Sequence, residues 1–210
     1  MNLTPVRHVH IQGEKALLIC SNYFPNATEL TLSHKFDQPI DQTIKRLARL
    51  LPLASLTQLH IDCGGFNFGK LLHLLQVVPN VHTLKVYSIS IDAMDCSSIE
   101  KSELFHLVST RNVIRTLTID SQCRYEQIEL ALHLCPRLQH LNMNIYWNDF
   151  NAIFEFIFDK QQKNSRHLFS ICLQDAYQRT IRELSDLNRS KNFLDDYSIK
   201  LIGTKLYIWW

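Results

Sequence analysis

The stretch from Leu51 to Val86 reads LPLASLTQLHIDCGGFNFGKLLHLLQVVPNVHTLKV, and the order of its parts decides the fold. Pro52 precedes an alternating segment, Leu59-His60-Ile61-Asp62, with the period of two expected of a strand buried on one side. A glycine loop follows, then an apolar run in which Phe68, Leu71, Leu72, Leu75 and Val78 share a helical face. Pro79 ends that run, and the alternation starts again at Val81. The stretch is one complete strand, turn and helix. A unit that buries only one side of its strand leaves the other side as a surface for binding.

Outward from this unit, the pattern apolar-x-x-apolar-x-apolar recurs along nearly the whole chain. It begins at Val6, Ala27, Leu56, Val81, Ile114, Leu138 and Leu168, and Lys205-Leu206-Tyr207-Ile208 ends the series. Between the central anchors, at 9, 30, 59, 84, 117, 141, 171 and 206, the intervals are 21, 29, 25, 33, 24, 30 and 35 residues. Prolines stand just before several copies, at Pro25, Pro52, Pro79 and Pro136, where a helix has to stop.

The intervening segments have helical spacing. Ile40, Ile44, Leu47 and Leu51 fall on one face of 39–51, with Lys45, Arg46 and Arg49 toward water. Ser97 and Glu100 form a capping box for a helix carrying Leu104, Phe105 and Val108. Tyr125, Ile128, Leu132 and Leu134 mark a fourth helix, Ile153, Phe154, Ile157 and Phe158 a fifth, and 177–187 a more charged sixth. Alternating strands and helices fit a doubly wound sheet or an open solenoid. Strands covered on both faces would read as continuous apolar runs. Leu30-Thr31-Leu32-Ser33, Leu117-Thr118-Ile119-Asp120 and Leu141-Asn142-Met143-Asn144 instead bury one side and present polar groups on the other, which predicts helices on one face only.

These repeated hexads resemble the leucine-rich repeat family, whose units read L-x-x-L-x-L followed by a helix or looser segment. The resemblance is clearest over residues 6–173, and the long, unequal repeats look most like the repeat regions of F-box proteins, the substrate receptors of cullin-type ubiquitin ligases. It implies an α/β fold: a leucine-rich-repeat solenoid, or horseshoe, of about seven to eight irregular repeats. A parallel sheet would line its concave face and helices its convex face. The whole of 1–210 would be one domain, with 174–210 an irregular last repeat or cap. The chain departs from the family where an asparagine or cysteine is expected after the last anchor, since Lys35, Gly64 and Ile89 stand near those positions. The first pattern also begins at Val6 with no F-box segment before it, which implies a fragment or a receptor lacking its adaptor-binding part. No catalytic residue and no cofactor carry over from this family.

Composition narrows the class further. Of 210 residues, 46% are hydrophobic and 20% charged, with net charge +2, so a strong electrostatic attraction to nucleic acid or an anionic membrane is not expected. The six cysteines stand singly, without C-x-x-C spacing, and read as buried thiols in a reducing compartment. The N-terminus lacks the apolar run of a signal peptide, and no stretch has the length of a membrane span. The expected location is therefore cytoplasmic or nuclear.

The enzyme reading rests on Gly64-Gly65-Phe66-Asn67-Phe68-Gly69-Lys70, which fits G-x-x-x-x-G-K between a strand and a helix. Leu71, however, stands where a Ser or Thr should hold magnesium, and Phe66 and Phe68 crowd a loop that should wrap phosphate. His8 and His10 project from one side of a strand and could hold a metal, or form plain polar surface. No hydrolase signature is present. The candidate site is instead the polar side of the strands: Gln58, His60 and Asp62 beside Thr83, Lys85 and Tyr87, then Thr116, Thr118 and Asp120, then His140, Asn142 and Asn144. Such a mixed-charge surface with a central tyrosine suits a protein or peptide partner, the alternatives being the nucleotide-binding enzyme and a structural scaffold or decayed fragment without a partner of its own. Trp209 and Trp210 either cap the open end of the array or anchor a partner.

Overall fold

The hexads become strands where a backbone hydrogen bond recurs at one position from one hexad to the next within each unit. The computed structural model describes residues 5–63, 67–90, 96–159, 166–191, 193–194 and 196–210. The carbonyl of the second hexad residue accepts two backbone N–H groups from the next hexad. Arg7 accepts from Thr28 and Glu29, Thr28 from Thr57 and Gln58, and Thr57 from His82 and Thr83. Arg115 accepts from Gln139 and His140, and Gln139 from Phe169 and Ser170. Within each unit these parallel strands thus start in the register of the one before, and the apolar anchors meet in rows.

The chain divides into two compact units, residues 1–114 and 115–210. In the first, β1 (His8–Gln12), β2 (Glu29–Ser33), β3 (Gln58–Asp62) and β4 (Thr83–Val86) pair in parallel in chain order. Val9, Leu30, Leu59 and Leu84 form one buried row, and Ile11, Leu32, Ile61 and Val86 the next. The strands alternate with α1 (Gly13–Ile19), α2 (Ile40–Leu50) and α3 (Phe68–Val77), followed by α4 (Cys96–Glu100) and α5 (Glu103–Arg111). α1 packs on α2, α2 on α3 and α3 on α5, with Phe68 and Phe105 in ring contact at 6.4 Å. The leading residues of later hexads, such as Ala27, Leu56 and Val81, are buried, whereas Val6 is 49% exposed.

Three local expectations need correction in this unit. α1 was not foreseen, and it begins directly after β1 because Gly13 takes a left-handed conformation with φ +78°. The buried face of α2 is Thr43, Leu47 and Leu50, so its stripe is rotated from the Ile40 and Ile44 line, both of which are half-exposed. Ser97 and Glu100 lie inside the short α4 and do not cap the longer helix. Ser102 caps α5, its Oγ accepting from the Phe105 N–H at 3.2 Å.

In the second unit, β5 (Thr116–Cys123), β6 (His140–Ile145) and β7 (Ser170–Leu173) are parallel, and α6 (Tyr125–Leu134), α7 (Phe150–Phe158) and α8 (Gln178–Lys191) follow them in turn. The expected all-parallel sheet ends here. β9 (Lys205–Trp209) runs antiparallel to β7 and pairs on its other side with β8 (Ser198–Ile202), again antiparallel. The reason is the Gly203-Thr204 turn: Gly203, at φ +61°, opens a two-residue hairpin loop of the kind that wants glycine first. The anchor rows survive the reversal, with Leu117, Leu141, Ile171 and Ile208 in one and Ile119, Met143, Leu173 and Leu206 in the other. Phe150, Phe154 and Phe158 contact one another in sequence along α7, and the Trp210 ring stands edge-on to Phe158 at 5.2 Å.

Candidate functional site

The polar sides of the strands carry every candidate residue, and none of these is buried. In the first unit Gln58 lies opposite Thr83 and His60 opposite Lys85, with Asp62 ending β3 and Tyr87, 46% exposed, following β4. The Tyr87 N–H donates to the Ile61 carbonyl at 2.8 Å, which holds this aromatic ring just beyond the paired residues. One strand earlier the expectation fails. Thr31 and Ser33 are buried, because His8 Nε2 bonds Thr31 Oγ1 and His10 Nε2 bonds Ser33 Oγ, each at 2.8 Å, and the two imidazoles stand parallel over β2. That arrangement uses one nitrogen of each ring on a hydroxyl. No cluster of three metal-binding side chains occurs among the described residues.

The second unit links its polar side chains across strands. Thr116 lies opposite His140, and His140 Nδ1 bonds Ser170 Oγ at 2.6 Å; Asn142 Nδ2 donates to Thr118 Oγ1 at 3.1 Å. The expected pairing of Asp120 with Asn144 does not form. A register shift between Ile119 and Gln122 places Gln122 opposite Asn144, so Asp120 sits in a bulge. There its Oδ1 accepts from Gln174 Nε2 at 3.5 Å. Trp209 is 42% exposed and lies opposite Ser170 and Ser198, which extends this face, while Trp210 packs inward.

Of the glycine-loop motif, residues 64–66 lie outside the described residues. The remainder is committed to structure. Asn67 caps α3, its Oδ1 accepting from the Gly69 and Lys70 N–H groups at 2.6 and 3.4 Å. These are amides that a phosphate would need. Lys70 Nζ donates to the Phe36 carbonyl at 2.6 Å.

All six cysteines are free thiols, and Cys63, Cys123, Cys135 and Cys172 are buried. Burial pushes the Cys63 thiol up to about 11 and those of Cys123 and Cys135 to about 12. Cys172 is raised for the same reason, against opposing effects of Tyr207 and Lys205. Thiols held this far from thiolate are poor nucleophiles at neutral pH.

A group that sequence reasoning missed gathers where β6 and β7 end: Trp147, Gln174, Asp175 and Tyr177, with Gln122 nearby. Its legible signal was the pair Tyr146-Trp147 immediately after a strand, large aromatics where a polar turn would be ordinary. Comparison with protein-family models, curated proteins and solved structures finds no match for this chain. Among the described residues no helix is long and apolar enough to cross a membrane.

Proposed function

We propose that this chain is a non-enzymatic interaction domain of the leucine-rich-repeat type, a solenoid that binds a protein or peptide through the polar sides of its strands. The observation that carries the reading is the pairing of Gln58 with Thr83 and His60 with Lys85 beside the exposed ring of Tyr87. Polar side chains fixed by a rigid sheet, with an aromatic available as anchor, are the ingredients of an interface in which a few residues dominate affinity. The second unit adds His140 and Asn142 in the same manner. The narrower form of the proposal is a substrate receptor of a cullin-type ubiquitin ligase in the cytoplasm or nucleus, its adaptor contacted through an F-box encoded upstream of Met1. The nucleotide-enzyme alternative draws less support, since the cap at Asn67 and the bond from Lys70 to Phe36 already use the groups it requires.

The test is quantitative affinity capture from cell extract with the wild-type chain, a Lys85→Ala/Tyr87→Ala variant and a His140→Ala/Asn142→Ala variant. Partners of the polar faces should be depleted from at least one variant. Undiminished recovery of every partner by both would overturn the reading, and an in-frame F-box upstream of Met1 would decide the narrower one.

A further inference from the structure

A cavity of about 190 Å³ opens where β6 and β7 end in the second unit. It is smaller than the roughly 300–1,000 Å³ of small-molecule sites, so it suits one side chain and not a cofactor. The ends of parallel strands are also where α/β sheets commonly gather ligands. Trp147, Phe150 and Tyr177 supply its aromatic lining, and Asn144, Gln174 and Asp175 its polar lining.

The polar groups are fixed in advance. Asn144 Nδ2 donates to Asp175 Oδ2 at 2.8 Å, and Gln174 Nε2 donates to Asp120 Oδ1 at 3.5 Å. An ionised carboxylate only accepts, so each amide must turn its nitrogen toward the acid. Asn144 Oδ1, Gln174 Oε1 and Asp175 Oδ1 then remain as acceptors without a hydrogen-bond partner among the described residues. Asp175 itself has φ +53°, a conformation few side chains adopt. Its neighbours are tied down by bonds from the Gln174 N–H to the Met143 carbonyl and from the Ala176 N–H to the Thr204 carbonyl, both 2.8 Å. The lining is rich in acceptors, carries one negative charge, and is already ordered.

Its rings are accessible, Trp147 being 40% and Tyr177 65% exposed. The indole already attracts a cation: the Arg179 guanidinium lies 5.4 Å from its centroid. Arg179 is balanced by Glu183 at 2.7 Å, so its charge does not exclude a second cation. Gln122 and Thr180 also line the cavity and can donate, but its one charged lining group is the Asp175 carboxylate, which favours a cation over an anion. A guanidinium offers five donors in a plane and an apolar face for stacking, which an ammonium does not.

We propose that this cavity receives a single arginine side chain of a partner peptide, which donates to Asp175 and the amide oxygens of Asn144 and Gln174 and stacks against the Trp147 and Tyr177 rings. The site shares Asn144 and Asp120 with the polar strand face of the second unit but does not involve Lys85 or Tyr87 of the first.

The experiment is a titration of the full ¹⁵N-labelled chain with a capped Gly-Arg-Gly peptide, followed at the Trp147 indole N–H, which Trp147→Phe assigns. Capped peptides with citrulline or lysine in place of arginine run in parallel. The expected result is a saturable shift with an affinity near millimolar or tighter, absent with citrulline and weaker with lysine. Asp175→Asn tolerates the same backbone conformation and should weaken arginine binding about tenfold. The Lys85→Ala/Tyr87→Ala variant should bind the peptide like wild type, which separates this site from the strand face. The absence of a saturable shift, equal binding of citrulline, or undiminished affinity in Asp175→Asn would each overturn the proposal.

Discussion

The two units contain the same anchor rows and treat their strand ends differently. The first stacks β1 to β4 in one direction with no register slip, and its polar groups come from the strands themselves. The second slips at β5 and closes with a hairpin, and beyond its strand ends it collects Trp147, Asp175 and Tyr177 around a cavity. Regular pairing spreads side chains along a face, whereas an interrupted ladder gathers them at one point. The bulge makes the difference concrete, because it takes Asp120 out of the strand pairing and leaves it as the acceptor that orients Gln174.

The surest way to break the comparison is to attack what the units share. Leu84→Asp puts an unpaired charge in the first buried row and should cost about 3–5 kcal/mol, a large part of the roughly 5–15 kcal/mol of a whole domain. Lys85→Ala, one residue on and facing the other way, should stay within about 0.5 kcal/mol. Equal urea midpoints for the two variants would contradict the register.

Gly203→Ala probes what belongs to the second unit alone. A methyl there meets nothing within 4 Å, so any cost is purely that of a side chain at φ +61°. It should be about 1–2 kcal/mol by thermal melting, and no change would mean that the turn is not held as described. Asn67→Ala is a slightly smaller test in the first unit, expected to lower stability by about 1 kcal/mol through loss of the α3 cap. A neutral result would reopen the possibility that those amides are available to an anion.

The effect that is smallest at neutral pH is on pH dependence. Cys63, Cys123 and Cys135 have folded-state values raised from the ordinary 9.0 to about 11 to 12, so the unfolded chain releases their protons first. Their contribution is fully present below pH 9 and is lost as pH rises toward 12. Cys135→Ala should therefore flatten the alkaline decline in stability relative to wild type. A decline of unchanged slope would show that Cys135 is not buried as a neutral thiol.

Much of the fold was legible because the hexad states which side of each strand is buried, and the structure buries the inner anchors from Val9 to Ile208. What was lost depends on backbone conformation and has no apolar period. Ser198-Ile199-Lys200-Leu201-Ile202 carries no hexad, and its strand exists because Gly203 reverses the chain beside β9. The bulge at Asp120 and Ser121 likewise leaves no mark in an alternation that continues through Ile119. Period two assigns the side on which Gln58, Thr83, Lys85, Thr116, Thr118, His140 and Asn142 stand, but it does not foresee Asp120 leaving the ladder. The histidine cover over Thr31 and Ser33 was not legible either, because it depends on which rotamer bridges to the next strand.

The β8–β9 hairpin also bears on the order in which the second unit folds. The parallel pairs β5–β6 and β6–β7 must each close a connection containing a helix, whereas β8 and β9 meet across two residues. Loop closure favours the short connection, and hairpins form in roughly 1–10 μs, although two isolated strands are marginal in water. The last residues of the chain should thus pair early and persist once β7 docks, supplying a ready-made edge on which the parallel strands assemble. In that case Gly203→Ala will slow refolding more than it speeds unfolding; the opposite partition would place the hairpin late.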